Sequence, residues 1–556
     1  MKWKKLEHNG ILFPPDFETK KIKIKIKGES VDLDIKQEEM IYQWAKKKDT
    51  PYAQDKVFQK NFLGDFVKTF GKKYKKLELD DVDFKNAFNL VDKEKDAKEL
   101  LTKEEKKALA AKRKELREEM KVKFGTGKMD GNEVEIANYM AEPPGIFIGR
   151  GEHPLRGKWK PKVTSKDVTL NLGKEAKVPA GNWGKIVHDQ ESMWMASWTD
   201  FLTQKRKYVW LADTAGIKQD RDKAKYDKAK MLAKEIETIK NKIVKDMQSK
   251  DPKVRRISTV CWLIYRTAMR VGDEKDPDEA DTVGATTLRK EHVTLTSDAI
   301  KFDFLGKDSV RWQETVPAVG NDKQFHENLK ELTAKIKATD EIFGNLTSRD
   351  VNEYYKTVVK GLTAKVFRTF SASTVVSKYL NENGDVKKGS QMEKLYHAKL
   401  ANLEAAIMCN HKRTIPKTFE QSLQKKRDTL KTAEKATPWK KNEEVLKKVE
   451  STKTKTDAQE KKRKERITKI KGMIKKSKAK QKERVEKLRL QLDLTEKTRD
   501  YNLGTSLRNY IDPRIFKSWT DEVTADWEKL YTAALQKKFL WVKSENESWQ
   551  NVSKHY

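Results

Sequence analysis

Between about residues 417 and 495 the chain carries one glycine, Gly472, and one proline, Pro438, in a run dominated by Lys, Arg, Glu and Gln. So polar a stretch cannot make a core of its own. Its apolar residues are few and regularly placed. Phe419, Leu423 and Leu430 fall on one helical stripe, and Ile467, Ile470, Ile474, Val485, Leu488 and Leu492 form a thin seam at three- and four-residue spacing. That pattern predicts two antiparallel helices zipped along a narrow stripe, with a break around Thr437-Pro438. An antiparallel hairpin returns the chain to where it left. Tyr510, in TSLRNYIDPR, is therefore expected close to His411, although about a hundred residues separate them.

The 556 residues suffice for several domains and a substantial core. Lys and Arg number 120 against 85 Asp and Glu, a formal net charge of +35 that attracts polyanions. Nucleic acid is the leading partner, because each phosphate neutralised releases condensed counterions. An acidic membrane surface is the rival. The 14 tryptophans argue for folded domains between the charged runs. Cys261 and Cys409, far apart, make neither a disulfide framework nor a multi-cysteine zinc site. The eight histidines show no metal-binding spacing. No secretory signal opens the chain, and no apolar run reaches the ~18 to 20 residues of a membrane span. A soluble, intracellular protein without membrane association is expected.

Ile22, Ile24 and Ile26, then Val31, Leu33 and Ile35, alternate with polar residues around Gly28 and predict a hairpin with one basic face. Residues 36 to 139 read as mostly helical, with Thr102 and Glu105 as a capping box. The Gly151-to-Lys158 loop is not a nucleotide-binding loop, since its spacing is wrong and Trp159 stands where Ser or Thr is required. KVTSKDVTLNL, SMWMASWTD and KYVWLAD read as strands, which makes the first 215 residues α+β. Residues 216 to 411 are mainly helical, interrupted by two strands joined at a Gly306-Lys307 turn.

Six stretches then occur in one order: EPPGIFIGRGEHP, EADTVGATTLR, FDFLGKDSVR, GLTAKVFRTF, CNHKRTIPKTFE and LGTSLRNYIDPR. In isolation, Lys307 reads as a solvated charge, Arg270 or Arg368 as a surface ion-pair partner, and His411 as a structural histidine. Together, the six stretches resemble the type IB DNA topoisomerases, the eukaryote-like nicking-closing enzymes, over essentially the whole chain. The resemblance implies a multidomain α+β fold: a two-lobed DNA clamp with a mainly helical, tyrosine-recombinase-like catalytic lobe and an antiparallel coiled-coil linker. Residues 1–215 would form the cap lobe, 216–414 the catalytic lobe, 415–495 the linker, and 496–556 a C-terminal domain carrying Tyr510.

Tyr510 would attack a phosphodiester, giving a 3′-phosphotyrosine and a free 5′-hydroxyl. Supercoils would relax by strand rotation before religation. Arginine donates in a fork that matches phosphate oxygens, which suits Arg270 and Arg368, with His411 as a third donor. One well-placed donor of this kind contributes on the order of 3 kcal/mol. Lys307 would protonate the leaving oxygen, a role worth roughly 10² to 10⁴-fold. One ester replaces another of similar energy, so no cofactor, neither ATP nor metal, is expected. The partner would be double-stranded DNA, bound by a monomer.

By the same resemblance, DNA contacts carry over to Arg150, Lys207, Tyr208 and Lys225, to Val271, Gly272, Asp273, Glu274 and Lys275 after Arg270, and to Thr282, Asp308, Thr363, Ala364, Lys365 and Asn509. Two positions depart from the family pattern. Ile148 stands for the first arginine of its Arg-Gly-Arg-Gly loop, and Leu507 for a lysine. Beside that resemblance, the start of the chain almost at the conserved core favours a prokaryotic source, such as an archaeal one, or a trimmed chain. The expected location is on chromosomal DNA, in the cytoplasm of a prokaryote or the nucleus of a eukaryote. The alternatives are a tyrosine recombinase and a non-catalytic DNA-binding or chromatin-architectural protein.

Overall fold

The computed structural model describes residues 3–74, 76–149, 151–272, 283–306, 310–416 and 418–556. The chain divides into two compact units, one of residues 1–222, 274–283 and 305–311, the other of 223–273, 284–304 and 312–556.

In the first unit, the alternation of the amino-terminal hairpin is realised. Ile22, Ile24, Ile26 and Val31 are buried, while Lys23 and Lys25 are exposed. Ile24–Ile26 lies between Glu29–Val31 and Val82–Asp83 in a three-stranded sheet. The strand ends at Val31, so the predicted continuation through Leu33 and Ile35 does not form. Asp34 instead accepts a hydrogen bond from the Gln37 N–H, and the Gln37 side chain bonds back to the Asp34 N–H. This capping box starts the Ile35–Ala45 helix and leaves Ile35 at 62% exposure. The sheet and this helix bury Met40, Trp44, Phe58, Phe62 and Phe66 between them and their neighbours.

The Thr102 capping box forms as predicted and opens the Lys103–Phe124 helix, which buries none of its side chains. Residues 126 to 137, read as part of a helical region, are two strands, Thr126–Met129 and Asn132–Ala137. Asp130 (φ +50°) and Gly131 (φ +83°) supply the left-handed backbone of a tight hairpin turn, which outweighs local helix preference. They join a seven-stranded sheet in the order Leu6–His8, Thr126–Met129, Asn132–Ala137, Arg206–Leu211, Trp194–Thr199, Thr169–Asn171, Lys185–Val187. Leu170, Met195, Trp198, Val209 and Leu211 lie in its core.

The second unit is mainly helical. Its core gathers Ala372, Val376 and Leu380 from the Ala364–Asn383 helix, and Ala398, Ala401 and Ala405 from Gln391–Met408. Ile511, Ile515, Phe516 and Trp519 complete it from the far end of the chain. Three small alanines on one face of a helix allow the backbones to approach, and the aromatics fill the remaining space. Residues around Tyr510 are thus built into the same core as the helices before the arm.

The charged arm consists of three helices, Phe419–Lys435, Lys440–Glu450 and Asp457–Lys497. Arg427 pairs with Glu496, Arg489 with Glu434, Lys478 with Glu443 and Lys471 with Glu450. Partner numbers fall as the first set rises, so both short helices run antiparallel to the long one. Phe419, Leu423, Ile470 and Ile474 are buried, while Leu430, Ile467, Val485, Leu488 and Leu492 are half-buried. The break at Pro438 interrupts the first strand of the hairpin without reversing it. Reversal occurs at 451–456, where Thr456 caps the long helix by accepting from the Gln459 N–H. A proline removes one ladder donor, whereas the run STKTKT supplies the polar side chains that stop one helix and start another. Where the arm begins and ends, its two chains lie side by side. Arg413 N–H donates to the Asp500 carbonyl at 2.9 Å, and Asn502 N–H to the His411 carbonyl at 2.7 Å.

Candidate active site

The return of the arm brings four of the five proposed catalytic residues together within the second unit. The rings of His411 and Tyr510 stack with centroids 5.3 Å apart. The Arg368 guanidinium lies 5.0 Å from the centre of the Tyr510 ring, a placement worth roughly 0.5 to 2 kcal/mol. Arg270 lies beside Tyr510 and interacts electrostatically with its hydroxyl. Lys307 lies outside the described residues, between the adjacent strands Ala299–Gly306 and Val310–Pro317.

Unusual backbone positions aim two of these side chains. The Pro252–Thr267 helix stops at Ala268, which takes the left-handed conformation at φ +51°. Alanine occupies that region at a cost. The resulting turn releases Arg270 from the helix, and leaves the Ala268 carbonyl to accept from Arg368 Nη1 at 3.0 Å. Asn410, also at φ +51°, ends the Gln391–Met408 helix and turns the chain into His411. The Cys409 carbonyl just before it accepts from Arg368 Nη2. Two helix ends thus hold one guanidinium, and Arg368 is 6% exposed.

Its third edge is uncommitted. Arg368 Nε and His411 Nε2 are both buried and have no hydrogen-bond partner among the described residues. Buried polar atoms are normally paired. Two such atoms beside one tyrosine define a place for an acceptor, which an anionic ester oxygen would satisfy. Burial, then Arg368 and Arg270, lowers the His411 pKa to about 3, so the imidazole is neutral. Burial and Arg368 likewise lower that of Arg270, but an arginine stays charged.

The His411 shift has a thermodynamic consequence. Its folded pKa lies below the usual 6.5, so the unfolded chain binds more protons between those two values. Stability therefore falls as pH drops from about 6.5 toward 3, by up to about 1.4 kcal/mol per pH unit from this one residue. Measured by denaturant unfolding, His411→Asn should flatten that slope relative to the unsubstituted chain. Parallel slopes would show that His411 is not buried as a neutral ring.

The segment that carries Tyr510 is anchored from behind. Asp512 is fully buried and accepts from Arg514 and from the Tyr556 hydroxyl, while its N–H donates to Ser373 Oγ at 3.0 Å. Arg514 also reaches Asp227 at 2.7 Å. Asp512 caps the Pro513–Glu522 helix, so the turn after Tyr510 is a helix start with proline in its first turn.

The expected DNA-contact residues are dispersed. Lys225 Nζ donates to the Asn509 carbonyl at 3.3 Å, one residue before Tyr510. The Val271 carbonyl accepts from the Thr286 N–H at 2.7 Å. Gly272, at φ +85°, meets Gly284 so closely that a Cβ on Gly284 would stand 2.4 Å from the Gly272 Cα. These two residues thus brace Arg270 through their backbones. Thr363 and Ala364 open the Ala364–Asn383 helix, where Lys365 is exposed. In the first unit, Lys207 pairs with Glu142 at 3.5 Å, and Tyr208 packs between Trp194 and Trp210. Ile148 is half-buried there. Leu507 is half-buried and packs on the core of the second unit. Arg150, Asp273, Glu274, Lys275, Thr282 and Asp308 lie outside the described residues.

Sequence reasoning missed the Ala268 and Cys409 carbonyls, which no side-chain pattern reports. It also missed Ser506, whose Oγ lies 2.7 Å from His411 Nδ1. Its spacing, four residues before Tyr510 in a helical stretch, was the available signal.

Three family models cover most of the chain. Residues 1–211 match the DNA binding fragment of eukaryotic DNA topoisomerase I, 214–445 its catalytic core, and 482–551 the C-terminal topoisomerase domain. DNA topoisomerase 1 beta of Arabidopsis thaliana is 35% identical over 550 residues, covering 97% of this chain and 58% of the relative. DNA topoisomerase 1 alpha of the same plant is 36% identical over 555 residues, with the same coverage. DNA topoisomerase 1 of Homo sapiens is 33% identical over 561 residues, covering 97% of this chain and 71% of the human protein. The chain belongs to the eukaryotic DNA topoisomerase I family, the type IB topoisomerases. It spans somewhat more than half the length of the plant relatives. No helix among the described residues is long and apolar enough to cross a membrane.

Proposed function

We propose that this chain relaxes supercoiled duplex DNA by cutting and resealing one strand. Tyr510 attacks a backbone phosphorus, its oxygen forms the new P–O bond, and the bond to the 5′-oxygen breaks. The product is a 3′-phosphotyrosine and a 5′-hydroxyl. The broken strand rotates about its partner, the hydroxyl attacks back, and Tyr510 leaves. Arg270, Arg368 and His411 donate to the phosphate oxygens as charge gathers on them. Lys307 gives the departing 5′-oxygen its proton. The observation that carries this reading is the pair of uncommitted buried donors, Arg368 Nε and His411 Nε2, beside Tyr510.

Duplex DNA would lie in a clamp formed by a cap lobe (1–215) and a catalytic lobe (216–414), with a coiled-coil linker (415–495) and the segment bearing Tyr510 (496–556). Phosphate contacts from Arg150, Lys207, Tyr208, Lys225, the 271–275 segment, Thr282, Asp308, the 363–365 helix start and Asn509 would hold it with little sequence preference. The +35 charge supports that grip. The exchange of one ester for another needs neither ATP nor metal, and the site of action would be chromosomal DNA.

Plasmid relaxation in EDTA without ATP tests the reading. Complete relaxation is expected, and relaxation that requires ATP or a divalent metal would contradict it. Lys307 has its own test. Lys307→Ala should slow cleavage of an ordinary phosphodiester roughly 10² to 10⁴-fold. A 5′-bridging sulfur leaves without needing a proton, so that substrate should recover much of the lost rate. Equal defects on both substrates would make Lys307 a binding residue.

A further inference from the structure

Ser506 is fully buried, and its hydroxyl meets Nδ1 of a histidine that is itself 5% exposed. We propose that Ser506 is a positioning residue: its hydroxyl donates to His411 Nδ1 and so holds the imidazole in the tautomer that carries its proton on Nε2. The inference rests on the reading of His411 as a phosphate donor.

A neutral imidazole has one N–H and one bare lone pair, and the partner at one nitrogen decides which nitrogen carries which. Neutrality here follows from burial beside two guanidiniums. A bare lone pair at Nε2 would point at the oxygens of an anion bound beside Arg368 and Tyr510, and would repel them. A proton at Nε2 donates to the same oxygens. That requires a lone pair at Nδ1 and therefore a donor opposite it. The Ser506 hydroxyl is the group within reach, and its O–H can rotate to donate.

The same residue touches the nucleophile. Ser506 lies in the Leu503–Asn509 helix, and its carbonyl accepts from the N–H groups of Tyr510 at 3.0 Å and Ile511 at 3.2 Å. Its side chain orients His411 while its backbone fixes the turn that presents Tyr510. Ser506→Ala removes only the first of these, because the carbonyl stays.

Single-turnover cleavage of a nicked duplex oligonucleotide is measured for the unsubstituted chain, Ser506→Ala, His411→Ala and the double variant. Loss of an outer partner that orients a ligating histidine lowers activity on the order of 10 to 100-fold, and Ser506→Ala should slow cleavage by that factor. In the His411→Ala background it should add nothing, since its target is gone. Equal slowing in both backgrounds, or none in either, would overturn the proposal. A fully active His411→Ala would instead overturn the reading of His411 itself. The tautomer is read directly by nitrogen NMR of histidine-labelled Tyr510→Phe bound to a duplex oligonucleotide, with Ser506 intact. A proton on Nε2 is expected, and a proton on Nδ1 would overturn the proposal.

Discussion

Tyr510→Phe is expected to abolish covalent DNA adducts and plasmid relaxation while leaving duplex binding close to that of the unsubstituted chain. The ring stays, so the stack on His411 and the contact under Arg368 persist. Only the hydroxyl is lost, with its electrostatic contact to Arg270, so the effect on stability should be small. The chemical loss is far larger, on the order of 10⁴-fold or more, because residues that act as a unit fail together when the nucleophile goes. Adducts trapped by denaturant on a nicked oligonucleotide measure the chemistry, and a mobility shift measures binding. A variant that binds as well as the parent and still forms the adduct would move the nucleophile elsewhere.

Arg368→Ala carries the second largest expected effect, and it has two separable parts. The guanidinium holds the Ala268 and Cys409 carbonyls, so its removal leaves two buried acceptors unpaired. Each costs about 1 to 3 kcal/mol, which should appear as a lowered melting temperature. In the proposed role the uncommitted Nε donates to the phosphate, and loss of such a donor should lower cleavage on the order of 10² to 10³-fold. Arg368→Lys keeps a charge but cannot span both carbonyls and the phosphate site. It should fall between the parent and the alanine variant in both measurements. An Arg368→Ala chain that is destabilised yet cleaves at the parent rate would make the guanidinium a structural brace alone.

How much of this could be read from the amino acids depends on the distance over which each feature is decided. The Ile22-Ile24-Ile26 alternation and the Thr102 capping box are local, and both form as read. Ile35 continued the alternation on paper, but the Asp34 capping box three residues from Gln37 turned it into a helix start. The thin seam of Ile470 and Ile474 showed that the arm is a hairpin, and the meeting of His411 with Tyr510 follows from it. The place of reversal did not follow, because Pro438 was the louder signal and the capping run at 451–456 the effective one. The least legible part is the bracing of the site. Ala268 at positive φ, the Cys409 carbonyl and the contact of Gly272 with Gly284 depend on backbone paths set by distant packing. A side-chain motif names Arg270 and Arg368 but not the carbonyls that aim them.

The proposed nucleophile is Tyr510, whose oxygen bonds to the backbone phosphorus as the 5′-oxygen leaves. The most direct measurement traps the unsubstituted chain on a nicked duplex oligonucleotide, digests the adduct and identifies the modified peptide and the DNA end by mass spectrometry. The expected product is a peptide containing Tyr510 joined to a 3′-phosphate, with a free 5′-hydroxyl on the released strand. Attachment at another residue, or through a 5′-phosphate, would contradict it.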